Sequence, residues 1–153
     1  MAVYEWNDFL VALAIASGML LAVALAMFQL SPQGWRLNAL KQAVALLAVV
    51  QLATPVFFSL IALLPLHPWK VAGALVGVVG YAVVVNQVVQ YVRYPGHTDT
   101  TDVLHLWLII INVAVFSILL WVPSLAWKAG TCVWLIVSGL IESWHILTRP
   151  EKR

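Results

Sequence analysis

Charged side chains are scarce in this 153-residue chain. Lys, Arg, Asp and Glu make up 9% of the residues, whereas hydrophobic residues make up 63%. Soluble domains carry roughly 25% charged residues, because most of their surface must stay in contact with water. The low charge therefore excludes an ordinary soluble domain and indicates that lipid, not water, surrounds most of this protein.

Catalytic and redox signatures are also missing. The only cysteine, Cys132, lies within an apolar run, so the chain cannot form an internal disulfide and has no CxxC motif for zinc or redox chemistry. No GxSxG, P-loop, HExxH or GxGxxG motif occurs. The eight Lys and Arg residues form no patch, which argues against nucleic acid as a partner. The sequence therefore favours a non-enzymatic role without naming a substrate or partner.

Long apolar runs fill most of the chain instead. A bilayer core about 30 Å thick needs roughly 20 apolar residues in a helix. Runs that meet or nearly meet this length are 9–30, 43–64, 71–92, 103–122 and 129–147. The sequence thus predicts an all-α, polytopic transmembrane bundle of five helices that forms a single integral membrane domain, 1–153. A four-helix bundle is the alternative, because Glu142 and His145 weaken the fifth run.

The distribution of Lys and Arg predicts the orientation. Cytoplasmic loops of membrane proteins carry an excess of these residues. With the N-terminus outside and the C-terminus in the cytoplasm, the inner loops hold Arg36, Lys41, Arg93, Arg149, Lys152 and Arg153, and the outer loops hold Lys70 and Lys128. We therefore expect an N-out, C-in protein of the cell membrane, specifically the bacterial cytoplasmic membrane.

Small residues mark the surfaces where helices are expected to pack. Lipid tails are as apolar as the helices, so close backbone approach depends on Gly and Ala. Two seams are predicted: Ala14, Gly18, Ala22 and Ala26 in the first helix, and Gly73, Gly77 and Gly80 in the third. Packing within the chain is the simpler interpretation, and a homo-oligomer interface is the alternative. Pro55 predicts a kink in the second helix, because it leaves the carbonyl of Gln51 without its helical donor.

Polar residues within the apolar runs are the candidate functional residues, because such groups are costly in a bilayer. With the predicted orientation they gather toward the cytoplasmic ends of the third, fourth and fifth helices. The predicted cluster comprises Asn86, Gln87, Gln90, Arg93, Asp102, His105, Asn112, Glu142 and His145. Hydrogen bonding between helices is one interpretation, and a path for a substrate, an ion or a proton is the other.

Glu142 and His145 also raise the question of a metal. Their Glu-x-x-His spacing places a carboxylate and an imidazole side by side on a helix, as in di-iron bundles, although the chain has too few acids for a complete di-iron site. With His105 they would supply two imidazoles and one carboxylate, a set suited to iron or zinc. A protein without a cofactor is the simpler expectation, and a bound metal or haem is the alternative.

Three functions are compatible with these patterns. The first is a small membrane subunit that packs into an oligomer, or anchors or assists a larger membrane complex; its partners would be the lipid bilayer and other membrane chains or further copies of itself. The second is a channel or transporter that uses the cytoplasmic-side polar cluster. The third is a metal- or haem-binding subunit of a membrane oxidoreductase.

Overall fold

The computed structural model describes residues 6–30, 39–66, 68–93 and 100–148, without the side chains of residues 100–106. Within these ranges the chain is helical and contains no strand. The helices are α1 (Asn7–Leu30), α2 (Ala39–Ala62), α3 (Trp69–Arg93), α4 (Thr100–Trp121) and α5 (Leu125–Thr148). The predicted all-α fold with five helices is confirmed.

The helices fit an integral membrane protein. Of the residues that the structure describes, α1, α2, α3 and α5 form four helices long and apolar enough to cross a bilayer, and Trp107–Trp121 of α4 forms a shorter apolar helix. The fifth helix begins four residues earlier than predicted, at Leu125, because its first turn accommodates the charged residue Lys128. The orientation in the membrane stays a prediction.

Local chemistry explains where several helices begin and end. Asp8 lies in the first turn of α1 and Arg93 in the last turn of α3, where each charge complements the helix dipole. Pro65 follows α2, and Pro123 separates α4 from α5, since proline cannot continue a helix without losing a hydrogen bond. The short links place α2 against α3 and α4 against α5 as hairpins.

Helix α2 occupies the centre of the bundle. It packs against α1, α3 and α5, while α4 packs against α3 and α5. In α2, 56% of the apolar span is buried within the protein, compared with 22% in α1, so α1 lies at the periphery. The helix continues through Pro55, which is itself buried. The buried polar residues of α2, Gln51, Thr54 and Ser59, therefore meet other helices rather than lipid.

The interface between α3 and α4 is built on three buried glycines of α3. A Cβ added at Gly73 would lie 2.6 Å from the backbone oxygen of Leu119, and one at Gly77 would lie 2.7 Å from the side chain of Leu120. A Cβ at Gly80 would overlap the ring of Phe116. The predicted seam of α3 thus lies against α4 within the same chain.

The predicted small-residue seam of α1 follows a different course. Ala14 and Gly18 are half-buried, whereas Ala22 and Ala26 are exposed. Residues spaced by four advance about 40° around a helix at each step, because a helix turns about 100° per residue. Over this stretch the predicted seam therefore turns from the bundle toward the outside. The buried face of α1 contains Ser17, Ala24 and Phe28 instead.

Candidate functional site

Glu142 is an acidic side chain buried inside the bundle. It is 1% exposed, although α5 carries it only six residues before the helix ends at Thr148. Burying a carboxyl group in a low-dielectric environment is expensive unless other groups satisfy it. The partners of Glu142 therefore define the candidate site.

Two amide side chains from other helices bind this carboxyl group. Gln51 of α2 donates from Nε2 to Glu142 Oε1 at 3.4 Å, and Asn112 of α4 donates from Nδ2 to the same oxygen at 3.4 Å. Both amides are 0% exposed. Three helices that are distant in sequence thus meet at one carboxylate oxygen. Gln51, Asn112 and Glu142 are called the Glu142 cluster below.

The same three side chains hold further oxygens that have no hydrogen-bond partner. These are Glu142 Oε2, Gln51 Oε1 and Asn112 Oδ1, and all three atoms are buried. The hydroxyl of Ser143, the next residue along α5, is also buried without a partner. Buried polar atoms in proteins are nearly always hydrogen-bonded, so several unpaired acceptors around one carboxyl group require an explanation.

Glu142 has no Lys or Arg partner within the described part of the chain. None of the described Lys and Arg side chains forms an ion pair with it, and Arg93 is exposed at the end of α3. The pairing of Glu142 with Arg93 or Lys41, one structural explanation for the acid, is therefore not observed. The amides alone stabilise the carboxyl group.

The Glu142 cluster lies closer to the middle of the bundle than the sequence predicted. Gln51 is 12 residues from the start of α2, and Asn112 is 12 residues from the start of α4, so both are near the centres of their helices. Glu142 is about 9 Å from the end of α5 at about 1.5 Å per residue. Its side chain leans toward the N-terminus of α5, which brings the carboxyl group deeper into the bundle.

Asn112 and Glu142 are the members of the predicted polar cluster that the structure brings into contact. Gln87 is buried on α3 but is not bonded to Glu142, and Asn86 and Gln90 are half-buried on the same helix. His145 is half-buried one turn beyond Glu142. The side chains of Asp102 and His105 lie outside the described residues.

Gln51 is the member of the cluster that the sequence-based prediction missed. Its position in the middle of an apolar helix, four residues before Pro55, is the signal that could have singled it out. Polar residues at mid-membrane depth are functional candidates in the same way as charged ones. The predicted polar cluster contains residues of α3, α4 and α5 and none of α2.

The predicted metal site receives no support from the described side chains. Among them, no group of three or more His, Cys, Asp and Glu residues comes together. The side chain of His105 lies outside that description, so the combination of His105, Glu142 and His145 stays a prediction. Elemental analysis and a visible absorption spectrum of the purified protein would test for a metal or haem.

A second charged side chain is buried at the opposite end of α5. Lys128 is 2% exposed, and its Nζ donates a hydrogen bond to the backbone oxygen of Leu119 near the end of α4. The last carbonyl groups of a helix lack backbone donors, and positive charge is favourable there. Lys128 therefore caps α4 and joins it to α5, a structural role that its predicted position in an outer loop did not indicate.

Known proteins offer no further guide to this site. No family model, no curated protein and no solved structure matches the chain. The function must therefore be argued from the geometry of the Glu142 cluster.

Proposed function

We propose that this protein is a small membrane channel or transporter in which Glu142 binds a proton or a monovalent metal cation. The observation that carries the proposal is the buried carboxyl group, which two amides from other helices hold by hydrogen bonds and with which none of the described Lys or Arg side chains forms an ion pair. Ionisable residues inside membrane bundles commonly mark ion pathways and proton relays.

The charge of the cluster favours a monovalent cation. An ionised Glu142 contributes one negative charge, and both amides are neutral. A proton or an alkali metal ion would make the cluster neutral, whereas a divalent ion would leave one uncompensated positive charge in a region of low dielectric constant. The single carboxylate is therefore matched to a single positive charge.

The position of the site also suits transport. Gln51 belongs to α2, the central helix, and Pro55 lies one turn further along the same buried face. A proline within a helix removes one backbone hydrogen bond and allows the helix to bend. Bending of α2 at Pro55 would change the distance from Gln51 to Glu142 and so open or close the site.

Ion flux into liposomes tests the proposal. The full chain and its Glu142→Gln variant would be reconstituted, a potential set with potassium and valinomycin, and proton and sodium uptake followed with fluorescent indicators. We expect the parent protein to carry one of these ions and Glu142→Gln to reduce the rate at least about tenfold, because the amide cannot carry the compensating charge.

Ser17→Ala is the control for this experiment. Ser17 of α1 is as deeply buried as the members of the Glu142 cluster, but its hydroxyl donates to the backbone oxygen of Leu13 in its own helix. Its substitution should leave the flux unchanged if folding is preserved. Proton and sodium fluxes no faster than in protein-free liposomes would contradict the proposal.

A membrane subunit is the second candidate, and the outward face of α1 favours it. Ala22 and Ala26 are exposed on this peripheral helix, so another helix could approach the backbone closely there. The measurement is the particle mass after extraction in a mild detergent. Ala22→Phe should reduce an oligomeric particle to a smaller species, whereas Val23→Phe, about 100° further around the helix, should not. A monomeric parent protein would exclude self-association.

A further inference from the structure

The unpaired oxygens of the Glu142 cluster point to the identity of the cation. We infer that the cluster is a sodium-binding site formed by Glu142, Gln51 and Asn112. This inference rests on the proposed function and names its ion. It depends on how many unpaired oxygens the three side chains of the cluster carry, and on how many of them a proton or a metal ion could bind.

Oxygen atoms from three helices are available to a cation. Glu142 Oε2, Gln51 Oε1 and Asn112 Oδ1 are buried and accept no hydrogen bond. The backbone oxygen of Gln51 is a fourth candidate, because the residue four positions later is Pro55, which has no N–H to donate. Backbone carbonyls released by helix breaks coordinate sodium in membrane transporters.

A proton would satisfy these atoms less completely than a metal ion would. Protonation of Glu142 Oε2 creates one O–H group, which can donate to one amide oxygen. The other amide oxygen and the carbonyl of Gln51 would still lack a donor. A sodium ion attracts several oxygens at once and replaces its hydration shell with them, as carbonyl oxygens do in ion-selective sites. Once both amides rotate as described below, a sodium ion would contact more of these oxygens than a proton could, which favours sodium over a proton.

The two amides can serve the site both with and without the ion. They now direct their N–H groups toward Glu142 Oε1, which stabilises the negative charge of the carboxylate. The terminal torsions of Asn and Gln are broad and roughly two-fold, so a half-turn exchanges the nitrogen and the oxygen with little change in shape. After that rotation, Gln51 and Asn112 would present oxygen to a bound cation.

Thermal unfolding of the full chain in detergent tests this inference. Sodium chloride would be titrated against choline chloride at constant ionic strength, with potassium chloride in a parallel series. We expect a saturable increase in Tm with sodium, because an ion that binds the folded state alone stabilises it. Potassium should produce a smaller shift at the same concentration.

The variants separate the site from general effects of salt. Glu142→Gln should abolish the sodium-dependent shift, and Asn112→Leu should raise the apparent Kd for sodium at least about tenfold, since it removes one ligand. Ser17→Ala is the control and should respond to sodium as the parent protein does, because the Ser17 hydroxyl is bonded to the backbone oxygen of Leu13 in its own helix. Broadening of the sodium-23 magnetic resonance signal by the unmodified protein provides a readout that needs no variant.

Three results would overturn the inference. The first is an absence of both the Tm shift and saturable sodium-23 broadening. The second is an equal Tm shift with potassium, and the third is an unchanged sodium response in Glu142→Gln. Proton flux that depends on Glu142 in the absence of sodium binding would reject sodium and leave the proposed transport function intact.

Discussion

Substitution of Gly73 by alanine is expected to destabilise the bundle, because α4 leaves no room for a Cβ at this position. The new atom would lie 2.6 Å from the backbone oxygen of Leu119 and would also overlap the side chain of Lys128. Ordinary van der Waals contact for a Cβ begins at 3.4 Å. A lysine side chain can rotate away, but the oxygen of Leu119 can move only if the helices α3 and α4 separate.

The size of the effect follows from three contributions. Overpacking of a tight interface costs about 1–3 kcal/mol. Displacement of Lys128 threatens its hydrogen bond to Leu119, and bonds to charged groups contribute about 1.5–3 kcal/mol. Replacing glycine with alanine within a helix raises the free energy of unfolding by about 1 kcal/mol, because alanine has the higher helix propensity. We therefore expect Gly73→Ala to lower the free energy of unfolding by about 1.5–5 kcal/mol.

Gly130→Ala is the control, because a Cβ at Gly130 of α5 would have no atom within 4 Å. This substitution should be neutral or slightly stabilising, since only the helix propensity changes. Both variants would be unfolded by denaturant titration in detergent micelles, with the loss of helix followed by circular dichroism. Equal stability of Gly73→Ala and Gly130→Ala would refute the close approach of α3 to α4.

Further predictions concern the polar contacts and the cysteine. Lys128→Met should lower the free energy of unfolding by about 1–2 kcal/mol in the same assay, because the oxygen of Leu119 loses its donor; unchanged stability would contradict the capping role. The side chains of Tyr81 in α3 and Ser117 in α4 are hydrogen-bonded to each other. A double-mutant cycle of Tyr81→Phe and Ser117→Ala should therefore show a coupling energy of about 0.5–1.5 kcal/mol. Additive effects of the two substitutions would contradict this bond. Cys132 is fully buried in the folded protein and should react with a maleimide only after unfolding; rapid labelling of the native protein would contradict its packing.

The number and length of the helices could be predicted because they depend on local composition. Each apolar run meets or nearly meets the length that a bilayer requires, and each gap contains residues that end helices. The residual error lies at the helix ends. Helix α5 begins at Leu125 and not at residue 129, because Lys128 finds a carbonyl partner on α4 that periodicity cannot reveal.

The candidate site was only partly predictable, since its contacts join residues far apart in the chain. Glu142 and Asn112 stood out as polar residues within apolar runs, but the sequence could not show that they meet. Gln51 was missed because its role depends on the central position of α2. The exposure of Ala22 and Ala26 was also not predicted from their spacing. Residues four apart advance about 40° around a helix at each step, so a long seam cannot stay on one face.

The chain order of the Glu142 cluster has a consequence for membrane insertion. Helix α5 has a mean hydropathy of 1.3, compared with 2.6 for α1, and it is the least apolar of the four described helices that are long enough to cross a bilayer. Gln51 and Asn112 belong to helices that are synthesised earlier. Insertion in chain order would place both amide partners in the bilayer before the carboxyl group of Glu142. The amides of α2 and α4 would then bind this carboxyl group as α5 enters, so that it would not be exposed to lipid without a partner.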